Sequence, residues 1–189
     1  MKAINYYFKK YNNKKIILFF LSKNYLLFMI KRILYISILF IFLFNNMVIS
    51  SDLDLARDAY NKNDFKAAFN YWEPLAKEGI ADAQLGLGIL YGKGQGLLQD
   101  YRESVKWFKL SADQGNAEAQ FYIGMAYING VTYKKNYSIA YMWLSVSALK
   151  QTRLAKDNLP KFIKMMTQEQ ISEGEKLKNL CINKNFINC

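Results

Sequence analysis

Ser147 and Lys150 stand in the spacing Ser-x-x-Lys, the nucleophile pattern of penicillin-recognising enzymes. Neither Ser-Asp-Asn nor Lys-Thr-Gly, the partners of that chemistry, occurs in the chain. Gly92-Lys93-Gly94-Gln95-Gly96 imitates a phosphate-binding loop, but no Gly-Lys-Ser/Thr follows it and a helical pattern, not a strand, precedes it. Gly86-Leu87-Gly88 opens a dinucleotide fingerprint, yet Tyr91 stands where the third glycine belongs. The chain contains no histidine. That removes Ser-His-Asp and Cys-His catalysis, histidine-ligated metals and histidine acid–base chemistry. No metal and no cofactor is expected, and no catalytic residue is assigned. The only thiols, Cys181 and Cys189, lie at the end of the sequence. A disulfide between them would close a short loop worth at most about 2–3 kcal/mol; the other reading is two free thiols at a frayed end.

The net charge of +11 is unevenly spread. Residues 1–50 hold eight basic side chains and no acidic one, and the remaining 18 basic and 15 acidic side chains leave +3 for residues 51–189. A body so nearly balanced gives little reason to expect nucleic-acid binding, which needs clustered basic surface. Tyr71, Trp72, Tyr91, Trp107, Tyr127 and Trp143 interleave with Arg102, Lys106 and Lys109. Their regular register reads instead as helix packing, each ring worth about 1.5–3 kcal/mol when buried.

The N-terminal basicity belongs to an address. Lys31-Arg32 precede an uncharged run, Ile33–Phe44, and Val48-Ile49-Ser50 follow it, the three parts of a secretory signal peptide. Twelve helical residues reach roughly 18 Å, short of the ~30 Å hydrocarbon core. Cleavage after Ser50 or Ser51 is therefore expected, with an uncleaved membrane anchor as the alternative. Met29 would begin a signal peptide of ordinary size, so residues 1–28 read as an upstream artefact. The domains are then an export segment, 1–50, and a folded body, 51–189.

That body repeats. Sliding the sequence by 36 positions aligns Gly79–Ala112 with Gly115–Ala148, with eleven identities in 34 positions, among them Ala83/Ala119, Gly88/Gly124, Tyr91/Tyr127 and Trp107/Trp143. About two would arise from ordinary residue frequencies. The same frame reaches back to Asp64, Phe65, Tyr71 and Gly79, preceded by a short helix at 52–61. Each unit reads as two helices. Ala83, Leu87, Gly88 and Tyr91 share one face of a 3.6-residue period, a glycine loop follows, and Asp100 with Glu103 makes a capping-box-like start to the second helix. Helical pattern continues over 153–166, where Pro160 should kink or restart it. Thr167-x-x-Gln170 then caps an amphipathic last helix, 168–183.

The string Asp82–Tyr91, the glycine loop, Asp100-Tyr101, Trp107-Phe108 and Ala112–Gly115 resemble the Sel-one-like repeat, a 36-residue relative of the tetratricopeptide repeat. Ala140–Leu144 and Met166–Ile171 look like the ending of exported bacterial members. The departures are Pro160, the shortened first loop, and Val131-Thr132-Tyr133-Lys134 where the loop's second glycine is expected. The resemblance implies an all-α fold, a short right-handed solenoid of antiparallel helix pairs with a C-terminal capping helix. It implies a non-enzymatic interaction module, periplasmic or secreted, whose partner is a protein or peptide, an envelope or host factor. A β-lactam-binding enzyme using Ser147 and Lys150, or a signalling adaptor tethered to the inner membrane, are the alternatives. Within the repeat, Leu87, Gly88 and Tyr91 must point into the stack. The neighbouring stripe, Leu85 and Ile89 in one repeat and Phe121 and Met125 in the next, flanked by Asp82 and Glu118, is the expected partner-binding surface, matching the concave groove of tetratricopeptide-like folds. The alternative makes these residues inter-repeat core.

Overall fold

The computed structural model describes residues 14–150 and 153–184. Among them are eight helices and no strand: α1 Lys14–Asn61, α2 Phe65–Lys77, α3 Ala81–Lys93, α4 Tyr101–Asp113, α5 Ala117–Asn129, α6 Tyr137–Leu149, α7 Arg153–Ile163 and α8 Gln168–Asn183. The chain divides into two compact units, Met1–Val48 and Ile49–Cys189. In the first, every described side chain from Leu27 to Phe44 is exposed, and nearly all are apolar. The stretch Leu27–Asn61 is long and apolar enough to cross a membrane, a property that signal sequences share; the run Ile33–Phe44 taken alone is not.

In the second unit the repeat becomes helix pairs, with consecutive helices from α2 to α7 packed on one another. Local sequence sets their ends. Asp64, Asp100 and Asn136, thirty-six apart, cap α2, α4 and α6 by accepting backbone N–H bonds from the first turn. Gly94 and Gly130 close α3 and α5 in the left-handed region, at φ of 66° and 70°. Only half of the capping box expected at Asp100 forms. The Asp100 N–H already donates to the Tyr91 carbonyl at 3.0 Å, so Glu103 has nothing to accept and pairs with Lys106 at 3.2 Å.

Packing follows the small residues. A Cβ on Gly86 would lie 2.4 Å from the Trp72 ring, and one on Gly88 2.5 Å from the Phe108 ring. These glycines let whole rings rest on the α3 backbone. Polar side chains at equivalent positions join one repeat to the next, through glutamine, and the two helices of one repeat, through serine. Gln84 and Gln120 donate to the carbonyls of Ala76 and Ala112, and Ser111 and Ser147 donate to those of Ala81 and Ala117.

The C-terminal end matches the expected capping helix. Thr167 and Gln170 form a complete capping box at the start of α8, and α8 packs against α6. Ser138 and Tyr141 of α6 each donate a 2.6 Å hydrogen bond, to Glu173 and Glu175 of α8 respectively. Pro160 neither breaks nor restarts α7, which runs three residues beyond it. Cys181 is buried and disulfide-bonded; Cys189 lies outside the described residues.

Candidate interaction site

The first helix of each pair contributes to one connected surface. Arg57 of α1 donates to Asp82 of α3 at 2.9 Å, and Asn116, the cap of α5, donates to the other Asp82 oxygen at 3.1 Å. Lys93 of α3 donates to the Tyr60 hydroxyl of α1 at 3.0 Å and sits 5.7 Å from its ring centroid. The Tyr60 hydroxyl itself donates to Gln95 at 3.2 Å. Glu118 of α5 is half-buried. Burial first, and then the Asp82 carboxylate, push its pKa up, while Lys93 pulls the other way. The Tyr122 hydroxyl is raised as well, by burial and by the negative charge of Glu118. Acid, base and aromatic groups from three helices thus share one neighbourhood.

Of the six residues anticipated from the sequence, Asp82 and Glu118 take part in this charged network. Ile89 and Met125 are half-buried and line one cleft of about 200 Å³ between α3, α4 and α5. Leu85 is also half-buried and, like Ile89, packs against the Phe108–Ile123–Trp143 core, but it does not line the cleft. Phe121 does not belong to an open surface. It is 7% exposed, edge-on to Tyr122, in the cluster of Leu144 and Ala155, because α7 adds a wall to that side of α5.

Sequence reasoning passed over Arg57, Tyr60, Lys93 and Tyr122. In sequence Lys93 sits among the loop glycines, whereas α3 continues through it to Gly94. Tyr122 is invisible by periodicity because its equivalent thirty-six residues earlier is Gly86; here it stacks on Phe108 at 4.5 Å.

The Ser-x-x-Lys pair serves packing. Ser147 is 0% exposed and donates to the Ala117 carbonyl at 2.5 Å, and Lys150 donates to the Gly115 carbonyl. Both anchor the chain around the start of α5. Among the described residues no group of three or more His, Cys, Asp or Glu side chains gathers as a metal would need.

Comparison with known proteins agrees with this geometry. The family model described as Sel1 repeat matches residues 81–116 and 117–151, which are α3–α4 and α5–α6 with their connections. No curated protein sequence matches the chain. Among solved structures, the fold is similar to that of a protective antigen of uropathogenic Escherichia coli strains displaying an SLR fold. The TM-score is 0.66 at 23% identity, over 72% of this chain and 30% of that one. This protein thus spans less than a third of the antigen's length. A Sel1 repeat protein from Oxalobacter formigenes is similar with a TM-score of 0.53 and 27% identity, over 60% of this chain and 88% of that one. Repeats of this kind are in general protein–protein interaction modules, and two tandem stretches of this all-helical repeat fold match the Sel1 repeat.

Proposed function

We propose that residues 51–189 form a protein-interaction module that takes a peptide segment of its partner along the shared face of α1, α3 and α5. The observation that carries this reading is the half-exposed pair Ile89 and Met125, from successive repeats, beside Tyr122 and set among the unlike charges of Lys93 and Glu118. An apolar floor supplies burial at about 25 cal/mol per Å², and a charged rim orients what binds. The general role of Sel1 repeats supports the same class. The module acts outside the cytoplasm, in the periplasm or beyond it, on an envelope or host protein. Export is supported by the order of Lys31-Arg32, the apolar run and Ser50-Ser51.

A photo-crosslinker tests the surface. Benzoylphenylalanine replaces Met125 in the groove or Leu110, which is exposed on α4 outside the cleft, and cells are irradiated. The expected result is a discrete protein adduct from position 125 and none from position 110. Equal adducts from both positions, or none from either, would overturn the reading.

A further inference from the structure

The cleft between α3, α4 and α5 arises where two repeat positions change. In the preceding repeat, Gly96 adopts φ +75° and presses its loop onto the first turn of α2, where a Cβ would lie 2.9 Å from the Phe65 carbonyl carbon. Thirty-six residues on, Gly96 becomes Thr132 and Phe65 becomes Tyr101. Threonine carries the Cβ that this approach forbids. Thr132 reaches the Tyr101 carbonyl only through its hydroxyl, at 3.4 Å, and Val131 beside it stays 59% exposed. The second change is on the helix. Leu90 is 0% exposed and fills its core; its equivalent, Ala126, is half-exposed and lines the cleft. A lifted loop and a truncated side chain together leave about 200 Å³.

The charge lining this space is one-sided. Lys93 is the one charged side chain among the described lining residues, which include no carboxylate, and Lys134 and Lys135 of the same loop are exposed. The neighbouring acids are engaged elsewhere: Asp100 caps α4 and Glu103 pairs with Lys106. Glu118, close enough to feel Lys93, does not line the cleft. A cavity of about 150 Å³ holds a benzene ring, so this cleft accommodates one large side chain.

We infer that the cleft takes one bulky apolar side chain of an acidic peptide, whose carboxylates pair with Lys93 and the loop lysines. This rests on the interaction-module reading and names the chemistry of its partner.

The test exposes the full-length protein, in detergent, to a synthetic array of random twelve-residue peptides. Captured peptides should be enriched in Leu, Phe or Trp flanked by Asp or Glu. Ala126→Leu, which restores the residue of the preceding repeat, should cut that capture at least about tenfold, or 1.4 kcal/mol. Lys93→Glu should abolish the acidic preference while apolar preference persists. A melting curve checks each variant, and if Ala126→Leu does not fold, the exposed Lys93→Glu decides. Capture indifferent to both variants overturns the inference. So does equal capture of acidic peptides lacking an apolar residue, or of single-stranded DNA, since charge alone would then suffice. Peptides lost on Met125→Asp but unaffected by Ala126→Leu would leave the groove standing and remove the cleft. Capture of no peptide at all would remove both.

Discussion

At the scale of single residues, side chains that imitate catalytic motifs turn out to hold backbone together. The Ser147 hydroxyl repeats the Ser111 bond to a carbonyl thirty residues earlier. A net hydrogen bond of this kind contributes about 1 kcal/mol. Ser147→Ala should therefore lower stability by about that amount, read as a shifted urea midpoint with unchanged slope. Glu118 makes an opposite case. Burial and the nearby Asp82 raise its pKa above the ordinary 4.5, so the folded state disfavours its charged form. That penalty is present at neutral pH and disappears as pH falls through the ordinary value, where the unfolded chain is protonated too. Glu118→Gln should raise the melting temperature at pH 7, with the gain fading as pH falls from the raised folded-state pKa to the ordinary 4.5. A gain that persists in acid would contradict this account.

At the scale of elements, the spacing of neighbouring helices is set by how closely a bulky side chain approaches a glycine. Trp72, Phe108 and Leu144 occupy equivalent positions, and the groups they meet change in step. Trp72 lies on Gly86, Phe108 on Gly88 with Tyr122 stacked over it, and Leu144 on Gly124. Replacing a mid-helix glycine by alanine ordinarily stabilises by about 1 kcal/mol. A methyl group 2.4 Å from the buried Trp72 ring overpacks the core instead, at a cost of about 1–3 kcal/mol. Gly86→Ala is thus expected to destabilise despite its better helix propensity, measurable by chemical denaturation. The α8 helix shows the same logic at the end of the stack. Gly174 meets Ser138 and Tyr141 of α6 as a next repeat would.

At the scale of the whole molecule, the N-terminal segment and the repeats differ in what they bury. The exposed apolar side chains of 27–44 suit a membrane or the export machinery, whereas the core begins at Ile49 and Leu53, which pack against the cluster of Ala56 and Ala59. If residues 1–50 serve only for export, N-terminal sequencing of the mature protein should begin at Ser51 or Asp52. Recovery of residues upstream of Phe44, with the protein in the membrane fraction, would assign an anchor instead.

Local chemistry written in the chain decided much of this architecture. The helix start at Asp100, the glycine loop and the Thr167–Gln170 box were legible because each depends on neighbours a few residues apart, and the thirty-six-residue period because it recurs along the chain. The surface was not legible in the same way. Leu85, Ile89, Phe121 and Met125 look alike in sequence, all apolar and on one stripe, and only the placement of α7 buries Phe121 while the gap left by Ala126 and Thr132 opens beside Ile89 and Met125. Exposure depends on what packs from the far side, and that neighbour lies tens of residues away. For the same reason Lys93 read as a loop residue until α1 brought Tyr60 to it. Periodicity determines which residues a repeat needs, and tertiary packing decides which of them it leaves open.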